Sequence, residues 1–196
     1  MSKRAAGGGA SGEKGEESAG MRVVMDERDV GHTVARLVHE IVERCGSMED
    51  VALVGMRSRG DALASRIAEL VRSIEGAEVP LGFLDISFYR DDLPGAGHWP
   101  TIQDTRIDFD VNERRIVLVD DVLFTGRTVR AALDALVDMG RPRCVQLAVL
   151  VDRGHREFPI AADYVGKRVQ TRLDERIVVR LKEIDGEDLV ALEDAG

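Results

Sequence analysis

Cysteine is scarce. Cys45 and Cys144 are the only two in 196 residues, too few for a disulfide framework and in keeping with free thiols in a reducing compartment. A single bridge between them is the alternative. Long hydrophobic runs are absent as well, since none approaches the ~18 residues that a membrane helix needs. The first 20 residues, MSKRAAGGGASGEKGEESAG, contain six glycines and no apolar stretch, which argues against a secretion signal. Such a segment buries too little surface to offset the entropy of ordering it, so a disordered tail over 1–20 and a cytoplasmic protein are expected. No internal repeat is present. Net positive charge is lacking too, and a formal charge of −9 on its face argues against nucleic-acid binding, which takes cations to neutralise phosphates. The balance is uneven, however: Arg153 to Lys182 carries eight Lys/Arg against four Asp/Glu. A local basic face on an acidic protein stays open beside the plainer reading of a solvated surface.

What is present is the content of one α/β domain, at 21–196. Hydrophobic residues make up 44% of a chain whose length suits one core better than two. Val34, Leu37, Val38, Ile41 and Val42 form one apolar stripe and predict a helix over 26–44, ended by Gly46. Val51 to Val54 reads as a strand buried on both faces. Leu63, Ala64, Ile67, Leu70 and Val71 mark a second helix. A strand over 79–89, interrupted near Gly82, leads into residues 90–110, which have no periodicity; so long an irregular stretch in a compact domain is functional or mobile. Ile116 to Val119 is the next buried strand, and Val129, Ala132, Leu133, Leu136 and Val137 the third helical stripe, closed by Gly140 and Pro142. Val145 to Val151 is a further apolar run, with Cys144 expected to pack in the core. This order predicts a central, mostly parallel sheet flanked by helices on both faces. Residues 153–192 read as a smaller appendage, with strands near Tyr164-Val165 and Ile177 to Leu181. Ligands of such sheets bind beyond the carboxyl ends of the strands.

The segment Ile116-Val-Leu-Val-Asp120-Asp121-Val122-Leu123-Phe124-Thr125-Gly126-Arg127-Thr128 lies at one such end. A buried strand runs into two adjacent carboxylates, and a loop of Thr, Gly and Thr then opens a helix. Glycine lets the backbone approach an anion closely, the hydroxyls donate hydrogen bonds, and the helix start offers unpaired N–H groups. The carboxylates can accept from sugar hydroxyls or help hold a cation. The competing readings are helix capping by one of the threonines, and a solvated turn or receiver-type acidic pocket for the paired Asp. A second loop, Gly55-Met56-Arg57-Ser58-Arg59-Gly60, follows the first core strand. Its arginines suit a polyanion through paired N–H groups, although an Arg-Ser-Arg turn alone is ordinary surface.

Val-Asp-Asp-Val-Leu-Phe-Thr-Gly-Arg-Thr resembles the phosphoribosyl pyrophosphate (PRPP) motif of type I phosphoribosyltransferases. The resemblance implies that Asp120 and Asp121 hold the ribose hydroxyls and that the loop from Val122 through Leu123, Phe124, Thr125, Gly126 and Arg127 to Thr128 takes the 5′-phosphate. Arg57 and Ser58 would contact pyrophosphate. The irregular stretch after Ser87-Phe-Tyr-Arg-Asp-Asp-Leu93 corresponds to a flexible loop closing over the reaction, with Arg90 as its catalytic cation or an ordinary ion-pair partner.

Leu150-Val-Asp-Arg153-Gly-His155-Arg156-Glu157, continuing to Lys167, is similar to the PyrR group of that family, as are 85–93 and 128–136. This implies a small hood formed largely by 153–192, with Arg153 and Ile177 near the nucleotide. It also implies conversion of uracil and PRPP to UMP and pyrophosphate, with Mg2+ held mainly through PRPP and no direct protein ligand. The group also binds pyrimidine-operon leader mRNA on the basic face of a homodimer or higher oligomer, under control of UMP or UTP. The matching positions are Arg36, His39 and Arg44 on the first helix, and Arg156 and Lys167 beyond the last core strand. Ala35 and Ala161 depart from the pattern, where the regulators more often carry a polar and a basic residue. His155 is assigned to an RNA or structural role rather than to proton transfer. The rival readings are an RNA-binding nucleotide sensor with little catalysis, and a transferase for another base.

Overall fold

The computed structural model describes residues 21–86 and 105–194. The expected tail, Arg90 and the Ser87–Leu93 match lie outside the described residues. The chain runs β1 (Met21–Met25), α1 (Glu27–Cys45), β2 (Val51–Met56), α2 (Arg59–Glu75), β3 (Leu81–Leu84), β4 (Arg115–Leu123), α3 (Arg127–Met139), β5 (Cys144–Asp152), β6 (Tyr164–Arg168), β7 (Glu175–Arg180), α4 (Lys182–Asp185) and β8 (Leu189–Asp194).

The main sheet has the order β3-β2-β4-β5-β6, with every neighbouring pair parallel. Its strands are aliphatic runs because both faces are covered, and successive residues serve opposite layers. Val117 and Val119 of β4 pack into the layer that holds α1, α2 and the hood strands. Ile116 and Leu118 face the layer of α3, with Val129, Ala132 and Leu136. Helix α1 starts with a reciprocal capping box: the Asp29 N–H donates to the Asp26 carboxylate (2.9 Å), and the Asp26 N–H to the Asp29 carboxylate (3.3 Å). Among the described residues no helix is long and apolar enough to cross a membrane.

A separate antiparallel sheet, β1-β8-β7, forms the hood together with α4. It differs from the expected 153–192 in two ways. Strand β6 joins the main sheet beside β5, and the hood takes its third strand from β1, more than 150 residues away in sequence from β7. Arg66 of α2 fastens the two parts, donating to Glu183 (2.6 Å) and to Asp188 (2.6 Å). Two further expectations are corrected. Gly82 does not interrupt a strand: it lies within β3, where a Cβ would come within 2.9 Å of the Ile107 side chain, so glycine there admits the returning segment that bridges Phe83 to Arg106. Cys144 is exposed rather than buried, because β5 begins there, paired with Arg115 at the rim of the sheet. Both cysteines are free.

Candidate active site

The chain leaves β2 through α2 to the outer strand β3, then returns to β4 and proceeds the other way to β5 and β6. The switch in direction opens a crevice between the carboxyl ends of β2 and β4, where ligands of open α/β sheets bind. Both loops singled out in the sequence converge there. Their approach depends on Gly60, in the first turn of α2, because a methyl at that position would overlap the Val119 carbonyl just before Asp120. In the β2–α2 loop, Arg57 pairs with Asp61 (3.4 Å) and the Arg57–Ser58 peptide is cis. Ser58 is exposed, and its hydroxyl does not cap α2. Arg59 turns the other way, to Asp185 of the hood (3.0 Å).

The paired carboxylates lie inside β4, which runs on to Leu123, so the strand extends further than its apolar run. Asp120 is 7% exposed. Burial raises its pKa well above the ordinary carboxylate value, and the neighbouring Asp121 adds to the rise. One oxygen of each is engaged locally: Asp120 accepts from the Asp121 N–H (2.9 Å), and Asp121 from the Val122 N–H (2.8 Å). The remaining oxygens can accept from vicinal hydroxyls, whose donated protons would stabilise the ionised form that burial disfavours.

Beyond them the loop encloses a cavity of about 340 Å³, lined by Asp120, Leu123, Thr125, Gly126, Arg127 and Thr128 among others. Gly126 occupies the helix-cap position with a φ of 90°, a left-handed conformation that favours glycine, and neither threonine caps the helix from that position. The Thr125 hydroxyl instead accepts from the Arg127 N–H (3.3 Å). The segment after β5 braces this loop from outside. Arg153 N–H donates to the Leu123 carbonyl (3.1 Å), and the Glu157 and Phe158 N–H groups both donate to the Thr125 carbonyl (2.9 and 3.1 Å). With its carbonyls taken from behind, the loop keeps its remaining N–H groups for an anion in front.

Of the hood-side residues, Arg153 is 6% exposed and stacks on the Phe124 ring at 4.0 Å. Its guanidinium donates to Thr171 (3.1 Å) and to the Arg172 carbonyl (2.9 Å), and burial lowers its pKa. Ile177 is buried in the layer shared with α1 and α2. His155 is bonded through Nε2 to the Thr171 carbonyl (2.6 Å).

The five residues matched to RNA contacts do not form one group. Four are held around α1 and β6. Arg36 donates to the Val165 carbonyl (3.3 Å) and pairs with Glu40. His39 bonds the Ala35 carbonyl (2.8 Å), and Arg44 reaches Asp163 (3.4 Å) across the Tyr164 ring. Lys167 donates to the Val24 carbonyl (2.8 Å). Arg156 lies apart from them, beside the loop between β4 and α3: it donates to the carbonyls of Phe124 (2.7 Å), Gly154 (3.0 Å) and Ile160 (3.0 Å) and to Asp152 (2.6 Å). Sequence reasoning also missed Glu157, which lines the cavity and binds Arg127 from 30 residues away. No local pattern announces so long-range a contact.

The phosphoribosyl transferase domain family matches residues 24–183. A bifunctional protein PyrR of Caldicellulosiruptor bescii is 55% identical over 170 residues, covering 87% of this chain and 93% of its own. One from a Roseiflexus species is 56% identical over 167 residues, covering 85% and 91%. Among solved structures, a hypoxanthine phosphoribosyltransferase of Staphylococcus aureus superposes with a TM-score of 0.67 at 19% identity, over 88% of this chain and 92% of that one. At that identity the likeness is one of fold.

Proposed function

The chain belongs to the PyrR family of phosphoribosyltransferases, and from that premise we propose that it converts uracil and PRPP to UMP and pyrophosphate and uses the same nucleotide site to govern binding of pyrimidine-operon leader mRNA. The observation that carries the transferase reading is the meeting, at one switch point, of a carboxylate pair with Asp120 buried, a cavity walled by the Thr-Gly-Arg-Thr loop, and an arginine-bearing loop. Asp120 and Asp121 accept from the ribose hydroxyls, and Thr125, Gly126, Arg127 and Thr128 hold the 5′-phosphate. Arg57 and Ser58 face the departing pyrophosphate, and Arg90, outside the described residues, is the catalytic cation that the family resemblance implies. Departure leaves a cationic, oxocarbenium-like ribose, so the protein's work is orientation and charge stabilisation, with no covalent nucleophile required. Among the described residues, the metal-ligating groups that this reading places beside the ribose are the carboxylates of Asp120 and Asp121, which suits a hard cation that takes most of its ligands from the substrate. Mg2+ brought with PRPP would neutralise charge on the leaving pyrophosphate.

The RNA reading is supported by the gathering of Arg36, His39, Arg44 and Lys167 around α1 and β6. In this reading that face belongs to a homodimer or higher homo-oligomer, as the family resemblance implies. UMP or UTP tightens RNA binding by linkage with the nucleotide site.

Formation of UMP from labelled uracil, PRPP and magnesium tests the enzyme, with hypoxanthine and an Asp120→Asn/Asp121→Asn variant as controls. Uracil-specific product that falls at least about 100-fold in the variant is expected. Intact UMP binding with no product from any base would leave the chain a nucleotide sensor.

A further inference from the structure

Glu157 stands at the rim of the phosphate cradle, and no role described above uses its carboxylate. It accepts from Arg127 Nε at 2.6 Å and lies 2.5 Å from Arg127 Nη2. Its backbone N–H donates to the Thr125 carbonyl (2.9 Å), so the carboxylate is anchored to the very loop it faces. A cavity suited to phosphate therefore carries, on its own wall, a charge of the same sign as its ligand. The side chains of Arg127 and Glu157 are 45% and 49% exposed, so water and salt screen the pair and its members exchange partners at little cost. The Phe158 ring lies 5.4 Å from the Arg127 guanidinium, and 5.5 Å from that of Arg130. That stacking keeps Arg127 beside the cradle whichever anion it holds.

We propose that Glu157 is an affinity-setting residue, an internal counter-ion that holds Arg127 in the empty cradle and yields it to the 5′-phosphate of an entering ligand. The inference rests on the reading of this loop as the 5′-phosphate site. Every ligand with that phosphate must displace a carboxylate, so PRPP and UMP both bind less tightly than the cradle alone would hold them. Weaker retention of UMP favours turnover, because the product carries the same phosphate as the substrate and must leave.

The test is UMP binding to the full chain by calorimetry, for the wild type, Glu157→Gln, Arg127→Gln and the double variant, together with steady-state kinetics. Glu157→Gln is expected to bind UMP about two- to fivefold tighter at low salt, the size of an exposed ion pair, with the gain shrinking as salt rises. KM for PRPP should fall and kcat fall with it. In the Arg127→Gln background the same change should have no effect on UMP affinity. Glu157→Ala, which removes the side chain, should reproduce the tightening if it acts by charge. Unchanged or weaker UMP binding in Glu157→Gln, or a gain that persists without Arg127, would overturn the proposal. Failure of the wild type to bind UMP would instead remove the cradle reading itself, and the inference with it.

Discussion

The phosphate cradle and the basic face around α1 and β6 both meet anions in the proposed function, yet apart from the exposed Arg127–Glu157 pair at the cradle's rim they are built in opposite ways. In the cradle the loop's carbonyls are engaged from behind by Arg153, Arg156, Glu157 and Phe158, and the Asp120 carboxylate sits in the core. Around α1 the cations are long, exposed side chains already engaged by Glu40, Asp163 or backbone carbonyls. A transferring group must be held to a fraction of an ångström, and that takes donors whose positions are fixed before the ligand arrives. A folded RNA needs a charged surface that adjusts to it, and screened ion pairs that exchange readily supply one.

The sharpest way to break this contrast is to add one methyl group to each region. At Gly60 it meets the Val119 backbone carbonyl, which cannot move without carrying Asp120 along. Gly60→Ala is expected to cost about 1–3 kcal/mol of stability and to lower kcat/KM for PRPP at least about 100-fold, since a displacement near 1 Å suffices for that. On α1, a Cβ at Gly31 meets nothing within 4 Å, and Gly31→Ala should leave transfer unchanged and stabilise the helix by roughly 0.5–1 kcal/mol. Thermal melts with steady-state kinetics on the two variants decide it. Equal tolerance at both positions would mean that the cradle is no more rigid than the surface.

Legibility in the sequence follows the same division. The parallel sheet and its three long helices could be read because aliphatic runs and apolar stripes are local signals, and the thirteen residues from Ile116 to Thr128 hold strand, carboxylates and cradle in one string. The hood was placed too simply: β1 and β8 are neighbours only after folding, and a five-residue segment next to a glycine-rich tail carries no mark of its partner. Arg156 matches an RNA-contact position of the regulators, and only the folded chain shows that its five acceptors lie in the segments about the cradle loop. Glu157 stands in the stretch similar to the PyrR group, but nothing local marks it as the partner of Arg127. Contacts that join distant segments were the part that periodicity and motif could not supply.

The basic face should respond to charge removal in proportion, not all at once. Arg44→Gln and Lys167→Gln are each expected to weaken leader-RNA binding about three- to tenfold at low salt and to reduce the slope of log K against log salt by roughly 0.7. Uracil phosphoribosyl transfer should be unchanged in both. Filter binding over a salt series, with a scrambled RNA as reference, gives the slope. Loss of transferase activity in either variant would show that the two regions are mechanically joined and the contrast false.

The smallest expected effect concerns what rigidity costs the empty enzyme. Asp120 has its pKa raised in the folded state, first by burial and then by the charge of Asp121, above an ordinary value of 3.8. A carboxyl whose folded pKa exceeds its unfolded one favours folding while protonated in both states. That contribution is complete below about 3.8 and is lost as pH climbs through the raised folded value. Above the ordinary carboxylate range the folded protein either carries a buried charge or holds a proton that the unfolded chain has released, and in both cases a neutral group there would be more stable. Asp120→Asn should raise Tm at neutral pH by roughly 2–4 °C, what ~1 kcal/mol gives in a domain of this size, while removing activity. Its advantage should narrow as the pH falls toward the ordinary carboxylate range. Saturating UMP should lift the Tm of the wild type more than that of the variant, because a carboxylate accepts more strongly from ribose hydroxyls than an amide oxygen does. Melting curves for both proteins over a pH series, with and without UMP, measure each part. An advantage that is constant with pH would place the effect in packing rather than charge, and the cradle would then hold its carboxylate without the cost that its burial implies.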